Sequence, residues 1–217
     1  MLRILLSMLL VLSCWPAAQA ETADCNADIR AAEWAEDLPR GLLAAIGRVE
    51  SGRRTAGGLI EPWPWTINAR GEGRAFATQA EALRHVRQLQ AEGTRLIDVG
   101  CLQVNLLHHP QAFASLEEAF SPAANTRYAA RFLRQLKERT GDWMRAVAQY
   151  HSAQAERGSA YRQRVLLAMQ DAPPLPAAGP AALPQRPVRL PALHLPGRGE
   201  THLWLRTASA LPRVVVR

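Results

Sequence analysis

Residues 97–105 constrain the fold more than any other stretch of the chain, because they interleave apolar positions with residues that can do chemistry. The carboxylate Asp98, the glycine Gly100 and the amides Gln103 and Asn105 lie within eight residues. The preceding residues, 94–99, are predicted to form a short strand. Such a strand would deliver Asp98 to the centre of this stretch.

A second candidate carboxylate, Glu50, stands at the end of a predicted helix. Apolar residues recur at helical spacing from Leu42 to Val49, with Pro39 in the first turn and Gly52 as the stop. A carboxylate in the last turn of a mostly apolar helix loses water on its protein side, which raises its pKa. A general acid working at neutral pH needs a raised pKa. The alternative is an exposed glutamate at a helix end.

The chain between these two carboxylates changes character. Residues 62–68 contain prolines, tryptophans and β-branched residues, and the turn-rich residues 68–73 follow. This composition predicts a β-hairpin with Trp65 and Ile67 on one strand. Trp63 and Trp65 suit the apolar faces of sugar rings, and a small core beneath the hairpin is an equally good interpretation.

Helices are predicted for most of the remaining folded part. A capping box from Thr78 to Glu81 opens one of them, and Asp142 caps another. Their ranges are 28–36, 79–93, 116–120, 122–139, 143–150 and a last helix through residues 161–166. Helices and one small β region together predict an α+β fold, mostly helical.

Three motifs resemble those of the SLT-type lytic transglycosylases, and they occur in that family's order. The first is Glu50 followed by Ser51 and a glycine. The second, Gly-x-x-Gln-x-Asn at residues 100–105, resembles the signature Gly-Leu-Met-Gln-Ile-Asn. The third, Ala-Gln-Tyr-His-Ser-Ala at residues 148–153, resembles Ala-Ala-Tyr-Asn-Ala-Gly. Its Tyr150 matches, whereas His151 and the two residues after it depart from the pattern.

A second resemblance comes from the segment that begins at Asp98. With this aspartate included, Asp-x-Gly-x-Leu-Gln-x-Asn is also close to the corresponding segment of c-type lysozymes. The likeness to transglycosylases, including those associated with secretion, covers about residues 38–167. The segment between Glu50 and Asp98 is unusually long for a member of the transglycosylase family.

The resemblance implies a lysozyme-like domain that cleaves the β-1,4 bond between N-acetylmuramic acid and N-acetylglucosamine in peptidoglycan. In that scheme the acid of the first motif protonates the leaving oxygen and a 1,6-anhydro product forms. The implied catalytic residues are Glu50, Asp98 and Tyr150. The implied substrate-binding residues are Ser51, Trp65, Gln103, Asn105 and His151. No cofactor is implied, and the adjacent His108 and His109 lack the partners that a metal site needs.

Two other functions remain open on the sequence. One is a muramidase that uses Glu50 together with Asp98 to hydrolyse the same bond. The other is a non-catalytic glycan-binding or assembly component. The expected partners are peptidoglycan glycan strands and a cell-envelope secretion or conjugation apparatus.

The first twenty residues are predicted to be a signal peptide, so we expect a periplasmic or secreted protein. Arg3, an apolar run over residues 4–12 and the small residues 18–20 give the usual three parts. A lipoprotein anchored through Cys14 is the alternative. Cleavage after residue 20 leaves Cys25 and Cys101, an even pair that suggests a disulfide in an oxidising compartment. Two buried free thiols would fit the sequence as well.

The positive charge of the chain lies mainly in its last 46 residues. The formal net charge is +7, and residues 172–217 contain six arginines against Glu200. Residues 21–171, the predicted domain, are therefore close to neutral, which argues against nucleic-acid binding. Nine of the fifteen prolines also fall in residues 172–217, which predicts a disordered tail. A tail that rests on anionic wall polymer or membrane is the alternative.

Overall fold

Seven helices and six short strands make up residues 24–171, the part of the chain that the computed structural model describes. The helices are α1 (Cys25–Ala35), α2 (Leu42–Ser51), α3 (Gln79–Ala91), α4 (Leu116–Ala119), α5 (Pro122–Thr140), α6 (Trp143–His151) and α7 (Ala155–Gln170). The strands are β1 (Gly52–Arg54), β2 (Ile60–Pro62), β3 (Thr66–Ala69), β4 (Glu72–Ala75), β5 (Ile97–Val99) and β6 (Val104–Asn105). The predicted α+β class with a helical majority is confirmed. The signal peptide and the proline-rich tail were predicted for residues that lie outside this described part.

Local capping explains where several helices begin. Thr78 and Glu81 form the predicted capping box at the start of α3, and Asp142 accepts a hydrogen bond from the backbone N–H of Arg145 at the start of α6. Each such bond satisfies an N–H that has no partner within its own helix. Pro122 occupies the first turn of α5, where its missing N–H costs nothing.

The start of α2 is a correction to the prediction. The helix begins at Leu42 rather than at Pro39, because the buried carboxylate of Glu33 in α1 caps it from outside. Glu33 accepts hydrogen bonds from the backbone N–H groups of Gly41 (3.0 Å), Leu43 (2.8 Å) and Ala44 (3.1 Å). A negative charge at a helix N-terminus is stabilising. Glu33 therefore fixes the helix that ends in Glu50 relative to α1.

The main sheet is antiparallel, with strand order β4-β3-β5-β6, and β1 and β2 form a separate hairpin. Asn68 pairs with Asp98, and Asp98 pairs with Asn105. Because directly opposite residues share a face, these three polar side chains lie on one side of the sheet. Ile67, which pairs with Val99, belongs to the other side. The predicted strand over 94–99 is shorter than expected, since pairing starts at residue 97.

The two sides of the sheet have different surroundings. The apolar side packs against α3 and forms a core with it. A second and larger core joins helices α1, α2, α5, α6 and α7. The polar side of the sheet is thus left to face the helices across a cleft.

A disulfide joins Cys25 at the start of α1 to Cys101 in the turn after β5, across a sequence separation of 76 residues. Both cysteines are fully buried in the helical core. The pairing suggested by the sequence is therefore present, and the alternative of two free thiols is not.

The helices of residues 24–171 include no candidate membrane span. None of them combines the length and the apolar character that crossing a bilayer requires.

Candidate active site

A cleft of about 300 Å³ lies where the polar side of the sheet meets α2, α5 and α6. Its lining residues are Glu50, Asn68, Asp98, Gln103, Val104, Asn105, His108, His109, Tyr128, Ala129, Phe132, Tyr150 and His151. The fold thus brings together six of the predicted site residues, which come from α2, β5, the turn to β6, β6 itself and α6. Ser51 and Trp65 do not line the cleft.

Glu50 is a carboxyl group in the cleft whose pKa lies well above its ordinary value. Burial raises its pKa from 4.5 to about 7, and the charge of Asp98 acts in the same direction. A hydrogen bond from the Tyr161 hydroxyl to Oε1, 2.6 Å long, and the charge of Arg164 oppose this rise. The carboxyl group therefore holds its proton near neutral pH, as a general acid must.

Tyr161 is a site residue that the sequence did not reveal. It lies in α7 and is almost fully buried, and its ring stacks on that of His151 with 4.6 Å between centroids and 4° between planes. Gly158 allows α7 to approach α6 this closely, since a Cβ there would lie 2.9 Å from the carbonyl oxygen of Ala148. The sequence placed Tyr161 only on the apolar side of the last helix, because nothing local connects it to Glu50.

Tyr150 lies beside the acid but does not bind it. Its hydroxyl donates to the carbonyl oxygen of Leu102 at 2.9 Å, and its ring packs near Phe132 at 5.7 Å. Burial raises the pKa of Tyr150 well above its ordinary value, so the hydroxyl stays protonated. Within residues 24–171 the side-chain hydrogen bond to Glu50 comes from Tyr161, not from the tyrosine of the third motif.

Asp98 is held in place by Asn105. The Nδ2 group of Asn105 donates to Oδ1 of Asp98 at 2.7 Å, while Oδ1 of Asn105 accepts from the backbone N–H groups of Leu107 and His108. Asn105 therefore uses both ends of its amide within the protein, and its role is to orient Asp98 and the following turn. Burial is the largest influence on Asp98 and raises its pKa, against the bond from Asn105.

Gln103 presents one end of its amide to the cleft. Its backbone has a φ of +47°, and its Nε2 group donates to the carbonyl oxygens of Thr66 and Gly100, both at 3.0 Å. The side-chain oxygen accepts no hydrogen bond from any other residue in the described range. That oxygen is thus free to accept an N–H or O–H from a ligand.

Asn125 at the start of α5 holds the turn that carries Gln103. Its fully buried amide accepts from the Leu102 N–H at 2.9 Å and donates to the carbonyl oxygens of Val99 and Ala119, each at 3.0 Å. Gly100 has a φ of +84°, and a Cβ there would lie 2.4 Å from Nδ2 of Asn125. Only glycine fits that position. Sequence inspection identified the glycine but not its partner.

Ser51 is a correction. It was expected to bind substrate, yet it is 4% exposed and its hydroxyl donates to the Cys101 carbonyl oxygen at 2.6 Å. The Ser51 hydroxyl oxygen also accepts the backbone N–H of Trp63 at 3.2 Å. Ser51 therefore ties the end of α2 to the disulfide-bearing turn and points away from the cleft, because its backbone partners lie in the interior.

Trp65 is a second correction to the predicted binding set. It packs against the core between the sheet and α3, and its ring meets that of Trp63 edge-on at 5.3 Å. Trp63 in turn donates from its indole nitrogen to the carbonyl oxygen of Phe76 at 2.8 Å. Trp65 thus belongs to the small core beneath the hairpin, the alternative to a sugar platform, and Trp63 packs against it.

The adjacent histidines line the cleft without forming a metal centre. The part of the chain that the structure describes contains no group of three or more His, Cys, Asp or Glu side chains placed to hold a metal ion. His109 is bound to Tyr128, whose hydroxyl lies 2.8 Å from Nδ1.

A scan against protein-family models found no match, and searches of curated proteins and of solved structures found none either. The activity therefore has to be inferred from the chemistry of the cleft. A carboxyl group with a pKa of about 7, a second carboxylate and an aromatic wall can protonate a leaving oxygen and stabilise the positive charge left behind.

Proposed function

We propose that this protein is a peptidoglycan lytic transglycosylase with a lysozyme-like domain. The observation that carries the proposal is Glu50, a carboxyl group with a pKa of about 7 that a tyrosine hydroxyl positions in a polar cleft. Glycosidic bond cleavage needs such a proton donor, because the leaving sugar oxygen is a poor leaving group until it is protonated.

In the proposed reaction Glu50 acts twice. It first gives its proton to the oxygen that leaves C1 of N-acetylmuramic acid, and the C1–O4 bond to the next sugar breaks. The acetamido group of the same sugar stabilises C1. The Glu50 carboxylate then takes the proton from the C6 hydroxyl while the C6 oxygen bonds to C1. This step gives the 1,6-anhydro sugar and restores the acid.

Asp98 has a supporting role in this reaction. Its carboxylate lines the same cleft and adds negative potential where the sugar becomes positively charged. Asn105 keeps it in place. Gln103 offers its free oxygen to a donor group of the glycan, and the aromatic residues Tyr128 and Phe132 suit the apolar faces of sugar rings.

A muramidase is the second candidate, and the position of Asp98 favours it. Both carboxylates line one cleft, and the charge of Asp98 is among the causes of the raised pKa of Glu50. In a retaining glycosidase the second carboxylate is the nucleophile, and water is the final acceptor. The product would then be a reducing sugar rather than an anhydro sugar.

We also propose that the enzyme works in the cell envelope. The Cys25–Cys101 disulfide supports export, since such bonds persist in oxidising compartments. Glycan strands are the substrate partner, and local opening of the wall for a secretion or conjugation apparatus is the proposed role.

Mass spectrometry of fragments released from purified peptidoglycan tests both candidates at once. Transglycosylation gives fragments that end in 1,6-anhydro-N-acetylmuramic acid, lighter by one water than the products of hydrolysis. The Glu50→Gln variant should release at least about 100-fold less of either product. No fragments from the wild-type protein, together with retained glycan binding, would instead indicate a non-catalytic component.

The Asp98→Asn variant separates the two reactions. If water is the acceptor, this change should be nearly as damaging as Glu50→Gln, because the nucleophile is lost. If the C6 hydroxyl is the acceptor, the loss should be smaller. Reducing ends as the main product and an inactive Asp98→Asn protein would overturn the transglycosylase proposal in favour of the muramidase.

A further inference from the structure

His109 lines the cleft and forms a side-chain hydrogen bond with Tyr128. It lies in the segment after β6, where its backbone N–H donates to the carbonyl oxygen of Asn105 at 3.0 Å. Its ring packs edge-on against Phe132 at 4.8 Å and Tyr128 at 5.4 Å. The ring is therefore held by two aromatic residues while it lines the cleft.

The contact with Tyr128 favours one position for the proton of the His109 ring. The Tyr128 oxygen lies 2.8 Å from Nδ1 of His109. If the tyrosine accepted a proton from Nδ1, its own hydroxyl proton would have no acceptor among residues 24–171. If it donates to Nδ1, that proton is satisfied and the neutral imidazole must carry its hydrogen on Nε2.

The titration of both groups agrees with a neutral pair. Burial and the charge of His108 lower the pKa of His109, and burial raises the pKa of Tyr128. At neutral pH the imidazole is therefore uncharged and the phenol is protonated. Nε2–H has no acceptor in the described part of the chain.

We propose that His109 is a specificity-determining residue that donates from Nε2 to an uncharged oxygen of the bound glycan, with Tyr128 as the residue that fixes its tautomer. A sugar hydroxyl or an amide carbonyl fits this donor. A carboxylate does not, because Asp98 already places negative charge in the cleft. The inference rests on the proposed glycan substrate and adds a contact that the motifs do not contain.

The tautomer is tested first, on the free protein. Long-range ¹H–¹⁵N spectra of ¹⁵N-labelled histidines should show His109 with a protonated Nε2 and a bare Nδ1. The Tyr128→Phe variant keeps the ring and removes the hydroxyl, so it should give a mixture of tautomers. A protonated Nδ1 in the wild-type protein would overturn the proposal, since Nε2 would then be an acceptor.

Binding is tested with chitotetraose in a Glu50→Gln background, where turnover does not interfere. Adding His109→Phe keeps an aromatic ring against Phe132 but removes the donor, and should weaken binding on the order of 3- to 10-fold. Adding His109→Gln restores an N–H donor and should recover part of that loss. Equal affinity of the His109→Phe and parent proteins would overturn the proposal.

His85→Phe is the matched control. This histidine also contacts an aromatic ring, that of Phe76 at 5.2 Å, but it lies on α3 beyond the apolar side of the sheet, away from the cleft. Chitotetraose affinity should stay within about twofold of the parent. An equal loss in both variants would mean that the effect is general, and would count against His109.

A second ligand shows whether the oxygen that accepts from His109 belongs to a hydroxyl or to an acetamido carbonyl. Glucosamine tetramer keeps the ring hydroxyls and lacks the acetyl carbonyls. If His109→Phe no longer changes the affinity for this ligand, the acceptor is the acetamido carbonyl; if the loss persists, it is a hydroxyl. Failure of the proposed function is distinguishable, because the wild-type protein would then release no fragments from peptidoglycan.

Discussion

Glu50 owes its raised pKa to burial at the end of an apolar helix, and the hydrogen bond from Tyr161 acts against this rise. The protonated form is favoured in the folded protein, whereas the unfolded chain has the ordinary pKa of 4.5. Below that value the contribution to stability is complete, and it is lost as the pH rises through about 7. The proposed acid thus has a cost in stability at the pH where it would work.

The Glu50→Gln variant should therefore be more stable than the wild type above neutral pH. Glutamine keeps the acceptor for Tyr161 but cannot ionise. A pKa shift from 4.5 to about 7 sets an upper limit on the order of 3 kcal/mol at pH 8, and no gain at pH 4. Urea denaturation at both pH values measures this. An identical stability difference at the two pH values would show that ionisation of Glu50 is not the cause.

The two tyrosines near Glu50 should differ in their effect on the pH profile. Tyr161→Phe removes a bond that lowers the pKa of Glu50, so the alkaline limb of kcat/KM should move to higher pH. A loss of activity on the order of 10-fold should accompany the shift, because the acid is less well positioned. Tyr150→Phe, whose hydroxyl bonds to Leu102, should leave the limb where it is. If the alkaline limb shifts in Tyr150→Phe but not in Tyr161→Phe, Tyr150 rather than Tyr161 would be the residue that positions Glu50.

At the scale of elements, the turn between β5 and β6 depends on the first turns of α5. The sheet supplies the strand that carries Asp98, but the position of Gln103 is fixed by Asn125 and by the left-handed backbone of Gly100. Two elements that are separate in sequence therefore act as one support for the cleft. Here the side chain of Asn125 in a helix supplies hydrogen bonds to the turn backbone. In most turns, residues of the turn itself supply such bonds.

Asn125→Ala should destabilise the protein by about 2–4 kcal/mol, since it removes three buried hydrogen bonds to backbone groups. Urea denaturation gives the magnitude. Asn26→Ala is the matched control, because the side chain of Asn26 bonds to no other residue in the described range, and a change within about 0.5 kcal/mol is expected. Similar losses in the two variants would contradict the proposed support of the turn.

At the scale of residues 24–171, one covalent bond and buried hydrogen bonds tie the helical core to the turn between β5 and β6. The disulfide ties α1, in the helical core, to the turn that follows β5 of the sheet. Ser51 reinforces the same junction through its bond to the Cys101 carbonyl. Opening this junction should loosen the cleft before either core unfolds.

A double Cys25→Ala and Cys101→Ala variant should lose about 4 kcal/mol of stability, because the bond closes a loop of this size in the unfolded chain. Chemical denaturation with and without reductant measures the loss. Reductant should lower the stability of the wild type and leave the variant unchanged. A wild-type protein that is indifferent to reductant would contradict the prediction.

The sequence by itself determined the features that depend on neighbours along the chain. Apolar spacing predicted α2 and placed Glu50 at its end, and the capping residues Thr78 and Asp142 predicted where α3 and α6 begin. The resemblance of residues 98–105 to the family motifs implied that Asp98 and Gln103 belong to one site. Helical periodicity and capping act over a few residues, so a linear pattern contains them.

Only the tertiary structure decided which distant residues meet. Tyr161 reaches Glu50 across 111 residues because α7 packs against α2 and α6, and Asn125 meets Gly100 because α5 packs against the turn. Ser51 turned inward, although its neighbour Glu50 faces the cleft, since the side chains of adjacent residues on a helix leave it in different directions. Such contacts depend on how whole helix and sheet faces pack together. That packing is set by the apolar surface that many residues bury jointly, so no short stretch of sequence contains it.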